Sequence, residues 1–321
     1  MTALFRTVTL TIDGEAVEVP EGATLLEACE AVGVDTPVLC YGDTLQPANV
    51  CRVCVVELEG SRMLVPACSR VAEPGMVVHT DSERVRHSRK MVMEFLASSV
   101  DLSTTPVAAD YLERYEAQPE RYGLPAPPDP ERDRRRTGHH EEPDGQTAAT
   151  VHQPVKVDNE LYVRDCSKCI LCYKCVDACG DQWQNTFAIA VAGRGFDARI
   201  STEYANPLPD SACVYCGNCI AVCPTGALMF ASEHELREEG AWDESRQTQA
   251  ETICPYCGVG CTLTLHVQDN QIVKVSSPDD HDITRGNLCI KGRFGFQHVQ
   301  ARPAEARGTD GRVHRARPEP D

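Results

Sequence analysis

The sequence predicts an α+β protein assembled from several small modules, and three observations support this prediction. Apolar and polar residues alternate over 7–19 around Asp13-Gly14, which indicates a β-hairpin. The capping-box pair Thr24 and Glu27 then begins a helix. Eighteen cysteines fall into separated groups, and only 6% of the 321 residues are aromatic, so no module has the composition of a large apolar core.

Changes in composition divide the chain further. We predict three cysteine-bearing modules, at residues 1–80, 156–232 and 251–296. The segments between and after them are a helical segment at 81–117, a linker at 118–155, a polar acidic connector at 233–250 and a disordered tail at 297–321.

Helical periodicity is clear over residues 82–100, which we expect to form one long helix. Its predicted inner side consists of Val85, Val92, Phe95, Leu96 and Val100.

Charge and the absence of apolar runs limit the possible partners. The net charge of −17 disfavours nucleic acid and anionic membrane surfaces, because both bind basic faces. No apolar run approaches the ~18 residues of a membrane-spanning helix, and the first residues carry no export signal, so we expect a cytoplasmic protein without membrane insertion. Thiols stay reduced there, which predicts that the cysteines are metal ligands.

Two cysteine runs of identical spacing dominate the middle module. Both follow C-x2-C-x2-C-x3-C, which is typical of bacterial ferredoxins with two [4Fe–4S] clusters, and Pro224 follows the second run. In such sites the fourth cysteine of each run binds the cluster of the other run. One predicted ligand set is Cys169, Cys172, Cys175 and Cys223. The other predicted set is Cys213, Cys216, Cys219 and Cys179.

The first module carries the spacing C-x10-C-x2-C-x13-C. Four thiolates on a long loop and a following strand suit a [2Fe–2S] cluster, in which each iron takes two cysteines. The loop is longer than the four residues found between the first two cysteines of plant-type ferredoxins. The predicted ligands are Cys40, Cys51, Cys54 and Cys68.

The last module carries C-x2-C-x3-C-x27-C, which predicts a third [4Fe–4S] cluster. Gly258 and Gly260 allow backbone amides to approach the sulfides. Two strands turned at Asp269-Asn270 are expected to return the distant fourth cysteine to the site. The predicted ligands are Cys254, Cys257, Cys261 and Cys289.

Structural zinc is the alternative for every set, because zinc also binds paired C-x2-C units. It is least compatible with the paired runs, where zinc has no use for a third cysteine at x2 spacing, and more compatible with the other two sets. Cys29, on a helix face, and Cys166 remain outside the four sets. We find no phosphate-binding glycine loop and predict no catalytic residue, so any nicotinamide or flavin should bind another subunit.

The order of these motifs, ending in CPYCGVGC and CIKGRFG, resembles the amino-terminal part of the large subunit of NAD-dependent molybdenum or tungsten formate dehydrogenases. The resemblance covers roughly residues 5–296. It implies a ferredoxin-like β-grasp domain, a bacterial-ferredoxin-type domain, and a small β-rich domain that begins a molybdopterin oxidoreductase fold. It also implies that Lys291 is a cofactor-binding residue between the nearest cluster and a pterin.

The function implied by this resemblance is electron transfer between a molybdopterin site and a flavin- and NADH-binding diaphorase subunit. In the family a large molybdopterin domain follows CIKGRFG, whereas this sequence ends at Asp321. We therefore expect molybdopterin, FMN and NAD on a further domain or on partner subunits.

Two relatives share this front end, the large iron–sulfur subunit of respiratory complex I and the [FeFe] hydrogenases. Both normally carry an extra cluster bound by one histidine and three cysteines, but no cysteine lies between Cys68 and Cys166. The hydrogenase active-site motifs are also missing. A complex I-like subunit that passes electrons to quinone, and a non-catalytic iron–sulfur binding or assembly protein, remain open as hypotheses.

Overall fold

The structure, a computed structural model, describes residues 6–122, 155–194 and 198–300, and the backbone of four two-residue strands outside these ranges. Most of the predicted linker at 118–155 and of the predicted tail at 297–321 lies outside the described residues. Among the described helices, none is both long and apolar enough to cross a membrane.

The first module is a five-stranded sheet with one helix packed on it. The strands are β1 (Thr7–Ile12), β2 (Glu15–Pro20), β3 (Val55–Leu58), β4 (Val65–Pro66) and β5 (Val77–His79). Their order is β2-β1-β5-β3-β4, and only the β1–β5 pair is parallel. Helix α1 (Leu25–Ala31) begins at the predicted capping box, in which Thr24 and Glu27 each accept the other's backbone N–H.

The predicted hairpin turn is confirmed, since Asp13 and Gly14 have φ values of 49° and 89°, as a two-residue turn between twisted strands requires. Leu10, Ile12, Leu25, Leu26 and Val78 form the centre of the core between sheet and helix. Cys29 is fully buried in this core, in agreement with a structural role.

The helical segment contains α2 (Glu83–Ser99), α3 (Pro106–Arg114) and a 3₁₀ turn (Pro119–Tyr122). Beyond it, β6 (Leu124–Pro125) pairs in parallel with β7 (Thr147–Ala148).

The predicted inner side of α2 is wrong at Phe95, which is 52% exposed and packs against the Tyr122 ring with centroids 4.9 Å apart. The buried face carries polar residues instead. Arg89 donates to the Tyr115 hydroxyl at 3.0 Å and to a backbone carbonyl of β3, and buried Glu94 accepts the Gln118 N–H at 2.9 Å. These hydrogen bonds offset much of the cost of burying the two side chains, although Arg89 Nε has no partner.

The middle module contains two small antiparallel pairs and two short helices. Strand β8 (Tyr162–Arg164) pairs with β11 (Leu228–Phe230), and between the cysteine runs β9 (Ala190–Ala192) pairs with β10 (Arg199–Ser201). Helices α4 (Lys174–Cys179) and α5 (Asn218–Ala221) each follow the first two cysteines of a run.

The last module is a meander of β12 (Thr248–Ile253), β13 (Thr262–Gln268) and β14 (Gln271–Ser276), followed by α7 (Ile290–Phe294) and α8 (Phe296–Val299). Strands β15 (Ala306–Arg307) and β16 (Val313–His314) form a further pair. Asp269 and Asn270 both adopt positive φ at the predicted turn.

The segment predicted as a connector is structured. Helix α6 (Ala231–Glu238) overlaps its start, and β12 overlaps its end. Helix α6 packs on β8, β11 and β14, and its Ser232 hydroxyl donates to the Val273 carbonyl at 2.5 Å. The last module also extends past residue 296, because the Gln300 amide exchanges two hydrogen bonds with the backbone of Ile272.

One hydrophobic core joins the middle and last modules. Phe294 of α7 stacks on Tyr162 of β8, with centroids 6.2 Å apart, and contacts Phe230 of β11 at 5.3 Å. Leu45, from the loop of the first module, is buried in the same core. The cysteine-bearing loops of all three modules therefore lie close together.

Candidate metal centres

The two runs of the middle module have the same backbone conformation. Leu171 and Tyr173 have φ values of 53° and 64°, and the equivalent Tyr215 and Gly217 have 55° and 71°. In both runs the N–H two residues after the first cysteine donates to its sulfur at 3.4 Å. Each loop therefore supplies a backbone donor to the sulfur of a predicted ligand, as loops around iron–sulfur clusters do.

The first centre combines cysteines from both runs. Cys169, Cys172 and Cys175 line one cavity together with Cys223, the last cysteine of the second run. Burial raises the pKa of Cys169 and of Cys172 to about 12, and Cys223 adds to both increases. The structure thus brings together the four predicted ligands of one set. Cys166, which we left outside the sets, lines the same cavity.

The second centre is the reciprocal arrangement. Burial raises the pKa of Cys219, and Cys216, Cys179 and Cys213 raise it further. Cys179 also contacts the Thr186 hydroxyl at 3.4 Å. The Cys179 thiol therefore interacts with thiols of the second run, although Cys179 is the last cysteine of the first run in sequence.

Tyr162 is a member of this centre that the cysteine spacing could not show. The side chain is 2% exposed, and its hydroxyl lies 3.2 Å from Cys213 Sγ. Burial raises the pKa of Tyr162, followed by the effects of Cys219 and Cys213, so the phenol stays protonated. A metal-bound thiolate has no proton, so in the occupied site the hydroxyl must be the donor.

We expect Tyr162→Phe to lower the reduction potential of the second centre while leaving its iron content unchanged. A hydrogen bond to a ligand sulfur stabilises the more negative, reduced cluster, and phenylalanine lacks this bond. An EPR-monitored redox titration measures the shift. Tyr215→Phe is the matched control, because Tyr215 contacts Cys213 through its backbone N–H. An unchanged potential in Tyr162→Phe would contradict the role of the hydroxyl.

The thiols of the first module are arranged as two pairs. The Cys51 N–H donates to Cys40 Sγ at 3.5 Å, and the interaction between the two thiols lowers the pKa of Cys40 to about 5 and raises that of Cys51. Cys54 and Cys68 lie 3.4 Å apart, and the hydrogen bond between their thiols lowers the pKa of Cys54 to about 7 and raises that of Cys68. Two adjacent pairs fit a two-iron cluster, in which each iron takes two cysteines.

The last module brings Cys289 back to its three sequence partners. Cys254 N donates to the Cys261 carbonyl at 2.8 Å, and Cys289 stands directly before α7. Burial raises the pKa of Cys261, and Cys254, Cys257 and Cys289 add to this increase. Cys257 and Cys289 are exposed, and so is Lys291, whose proposed contact with a pterin stays a prediction.

The described residues contain no group of three His, Cys, Asp or Glu side chains that converge on a single-ion position. The thiols of the first centre instead line one cavity, and those of the first module stand in two pairs, arrangements that are compatible with multi-iron clusters.

The four sets follow one another in space. Cys40 raises the pKa of Cys172, so the first-module set lies beside the first centre. Cys219 raises the pKa of Cys175, which places the two middle centres side by side. Buried Arg293 donates its Nε–H to the Cys216 carbonyl and its backbone N–H to the Cys289 carbonyl, both at 3.0 Å, and so lies between the second centre and the last set.

Three family models match the chain. They are a 2Fe-2S iron-sulfur cluster binding domain at residues 6–83, a 4Fe-4S dicluster domain at 168–227 and a Molybdopterin oxidoreductase Fe4S4 domain at 248–301.

Curated relatives match most of the chain. An NADH-quinone oxidoreductase subunit of Rhizobium meliloti is 32% identical to this chain over 91% of its residues. The NADPH-Fe(3+) oxidoreductase subunit alpha of Geobacter sulfurreducens is 33% identical over 92% of this chain. A Staphylococcus haemolyticus protein with a provisional formate dehydrogenase name is 27% identical over 91%. The chain covers 32%, 32% and 31% of these proteins, so it spans about a third of their length.

A solved structure shares the fold. It is a chain in the crystal structure of an NAD⁺-reducing [NiFe]-hydrogenase in the H2-reduced state, with a TM-score of 0.55 and 24% identity, covering 70% of this chain and 87% of that chain. With the family models, this establishes the predicted α+β architecture of ferredoxin-type modules. The chain is thus an iron–sulfur protein composed of a 2Fe-2S domain, a 4Fe-4S dicluster domain and an Fe4S4 domain of the molybdopterin oxidoreductase type.

Proposed function

We propose that this chain is the iron–sulfur electron-transfer part of a formate dehydrogenase-type oxidoreductase, connecting a molybdopterin site with a flavin- and NADH-binding partner. The observation that carries the proposal is the spatial order of the four thiol sets, from Cys257 and Cys289 through the two middle centres to Cys40. When bound, one [2Fe–2S] and three [4Fe–4S] clusters would supply one-electron carriers at tuned potentials.

The protein's own residues hold these groups and exclude water. Crossed ligation by Cys179 and Cys223 ties the two middle centres together, and the shared core around Tyr162 and Phe294 fixes the last module against them. Low local polarity and hydrogen bonds to the ligand sulfurs are the means by which a protein adjusts cluster potentials.

The exposed end of the last set is the proposed contact with a molybdopterin domain or subunit. Cys257, Cys289 and Lys291 are exposed there, together with the apolar side chains of Ile253 and Ile290. We place the flavin-binding partner at the opposite end, near the first module.

A second candidate function is that of a subunit of an NADH–quinone oxidoreductase. The 32% identity with the Rhizobium meliloti protein of that type favours this candidate. The partners that co-purify distinguish the two functions: membrane subunits support the quinone-linked function, and a molybdopterin protein supports the formate-linked one. Purification with neither partner would favour a non-catalytic iron–sulfur protein.

Anaerobic purification tests the proposal directly. We expect about 14 iron per chain with a similar amount of acid-labile sulfide, and, after reduction, EPR signals of both cluster types separable by temperature. The isolated chain should not oxidise formate with an artificial acceptor, because we place that site on another domain. Colourless, zinc-loaded protein, or formate turnover by this chain alone, would contradict the proposal.

A further inference from the structure

Arg293 is a charged side chain in the interior of the protein. It lies on α7 and is 0% exposed. The guanidinium donates to the Cys216 carbonyl at 3.0 Å, the Asn218 amide oxygen at 3.1 Å and the Gly286 carbonyl at 3.2 Å, and more weakly to the Val275 carbonyl at 3.4 Å. Two of these acceptors belong to the loop of the second cysteine run.

These acceptors are all neutral. Among the described carboxylates, none lies within ion-pairing distance of Arg293, and the acidic groups that affect it most are the thiols of Cys216 and Cys219, ahead of Asp279 and Cys289. Burial lowers the pKa of Arg293 to about 10, which still leaves it cationic at neutral pH. A buried cation is costly unless negative charge compensates it nearby.

The second run makes room for this side chain at Gly217. A Cβ added there would overlap Cδ of Arg293. The positive φ of Gly217 does not by itself explain why this position is a glycine, because Tyr173 has nearly the same φ at the equivalent position of the first run. The loop around the second centre is therefore shaped to let the guanidinium approach, whereas the loop around the first centre is not.

We propose that Arg293 is the internal counter-cation of the second centre, held by Cys213, Cys216, Cys219 and Cys179, and that it raises the reduction potential of that centre. The inference rests on the proposed function, since it requires clusters in both the second centre and the last set. A thiolate-bound cluster becomes more negative on reduction, so a nearby fixed cation favours the reduced state. Cys289 is also near, so a smaller effect of the same sign is expected on the last set.

The test compares Arg293→Gln, which removes the charge, with Arg293→Lys, which keeps it. We expect the Gln variant to shift the second centre to a lower potential by at least a tenfold change in the reduced-to-oxidised ratio, about 59 mV for one electron. The Lys variant should stay near the parent protein. Arg246→Gln is the matched control, because Arg246 lies exposed just before β12 and is paired with Asp269.

The readout is an EPR-monitored redox titration of the full chain, with iron and sulfide measured for each variant. An unchanged or raised potential in Arg293→Gln, equal shifts in Gln and Lys variants, or an equal shift in Arg246→Gln would overturn the proposal. If Arg293→Gln loses iron, the result for Arg293→Lys distinguishes the explanations. Iron content and potential that are retained in Arg293→Lys support a requirement for positive charge at this position. The same loss of iron in Arg293→Lys refutes the proposal. Absence of iron from the parent protein would instead refute the proposed function.

Discussion

Replacing Cys179 by serine is expected to remove the second centre and leave the first intact, although Cys179 ends the first cysteine run. In the structure its thiol raises the pKa of Cys216 and Cys219, and it is not among the largest influences on Cys169, Cys172 or Cys175. Loss of one of four thiolates should cost this centre most of its iron, about four per chain, because serine is a poor ligand for iron in these clusters.

The reciprocal variant, Cys223→Ser, should remove the first centre, since Cys223 lines the cavity with Cys169, Cys172 and Cys175. The Cys40 thiol raises the pKa of Cys172, so the first centre is the one beside the first module. Loss of the first centre should therefore also interrupt electron transfer between the first module and the other clusters. Iron analysis combined with EPR of the reduced protein distinguishes the two variants.

Cys166→Ser is the matched control for these substitutions. Cys166 is buried and lines the cavity of the first centre, but it is not one of the four predicted ligands. We expect its replacement to leave the iron content unchanged. Loss of the first centre in Cys179→Ser, or loss of iron in Cys166→Ser with none in Cys169→Ser, would contradict the ligand sets that we propose.

Local patterns in the sequence predicted much of the fold. The Asp13-Gly14 and Asp269-Asn270 turns and the Thr24 capping box depend on neighbouring residues only, and all three are present. The cysteine spacings are local in the same sense, because each short run wraps its own centre. The domain types that they indicated agree with the three family models.

Features that depend on distant residues were missed. Periodicity placed Phe95 on the inner side of α2, but buried Tyr115 and the backbone N–H of Gln118, more than 20 residues away, bind Arg89 and Glu94 on the buried side instead. The same limit applies to Arg293, whose acceptors lie up to 77 residues away. The sequence contains one indication of this contact: Gly217 stands where the first run has Tyr173, and the difference is informative only when the two runs are compared.

Composition also did not predict the hydrophobic core that the middle and last modules share. Residues 233–250 are polar enough to suggest a connector, yet α6 packs against strands of both the middle and the last module, with the Ser232 hydroxyl bonded to the Val273 carbonyl, and β12 forms the exposed edge strand of the last sheet. Small modules with so few apolar residues need another source of stability, and two of the predicted cluster ligands, Cys175 and Cys254, are buried in this core.

Removal of iron by a chelator is therefore expected to unfold the middle module while the first module keeps most of its sheet. The middle module has only two-stranded sheets among its described residues, which are marginal in isolation, and its core is lined with ligand cysteines. The first module has a five-stranded sheet and a core centred on Leu10, Leu25 and Val78, which contains only two of its four ligands.

Hydrogen exchange measured by mass spectrometry follows both modules in one sample. A loss of about 3 kcal/mol of local stability would accelerate exchange in β8, β11 and α4 about a hundredfold, while β1, β2 and α1 should change much less. The iron-loaded protein kept in the same buffer without chelator is the control. Equal loss of protection in both modules would show that folding of the first module also depends on its cluster, and unchanged protection in the middle module would show that its thiols hold no structural metal.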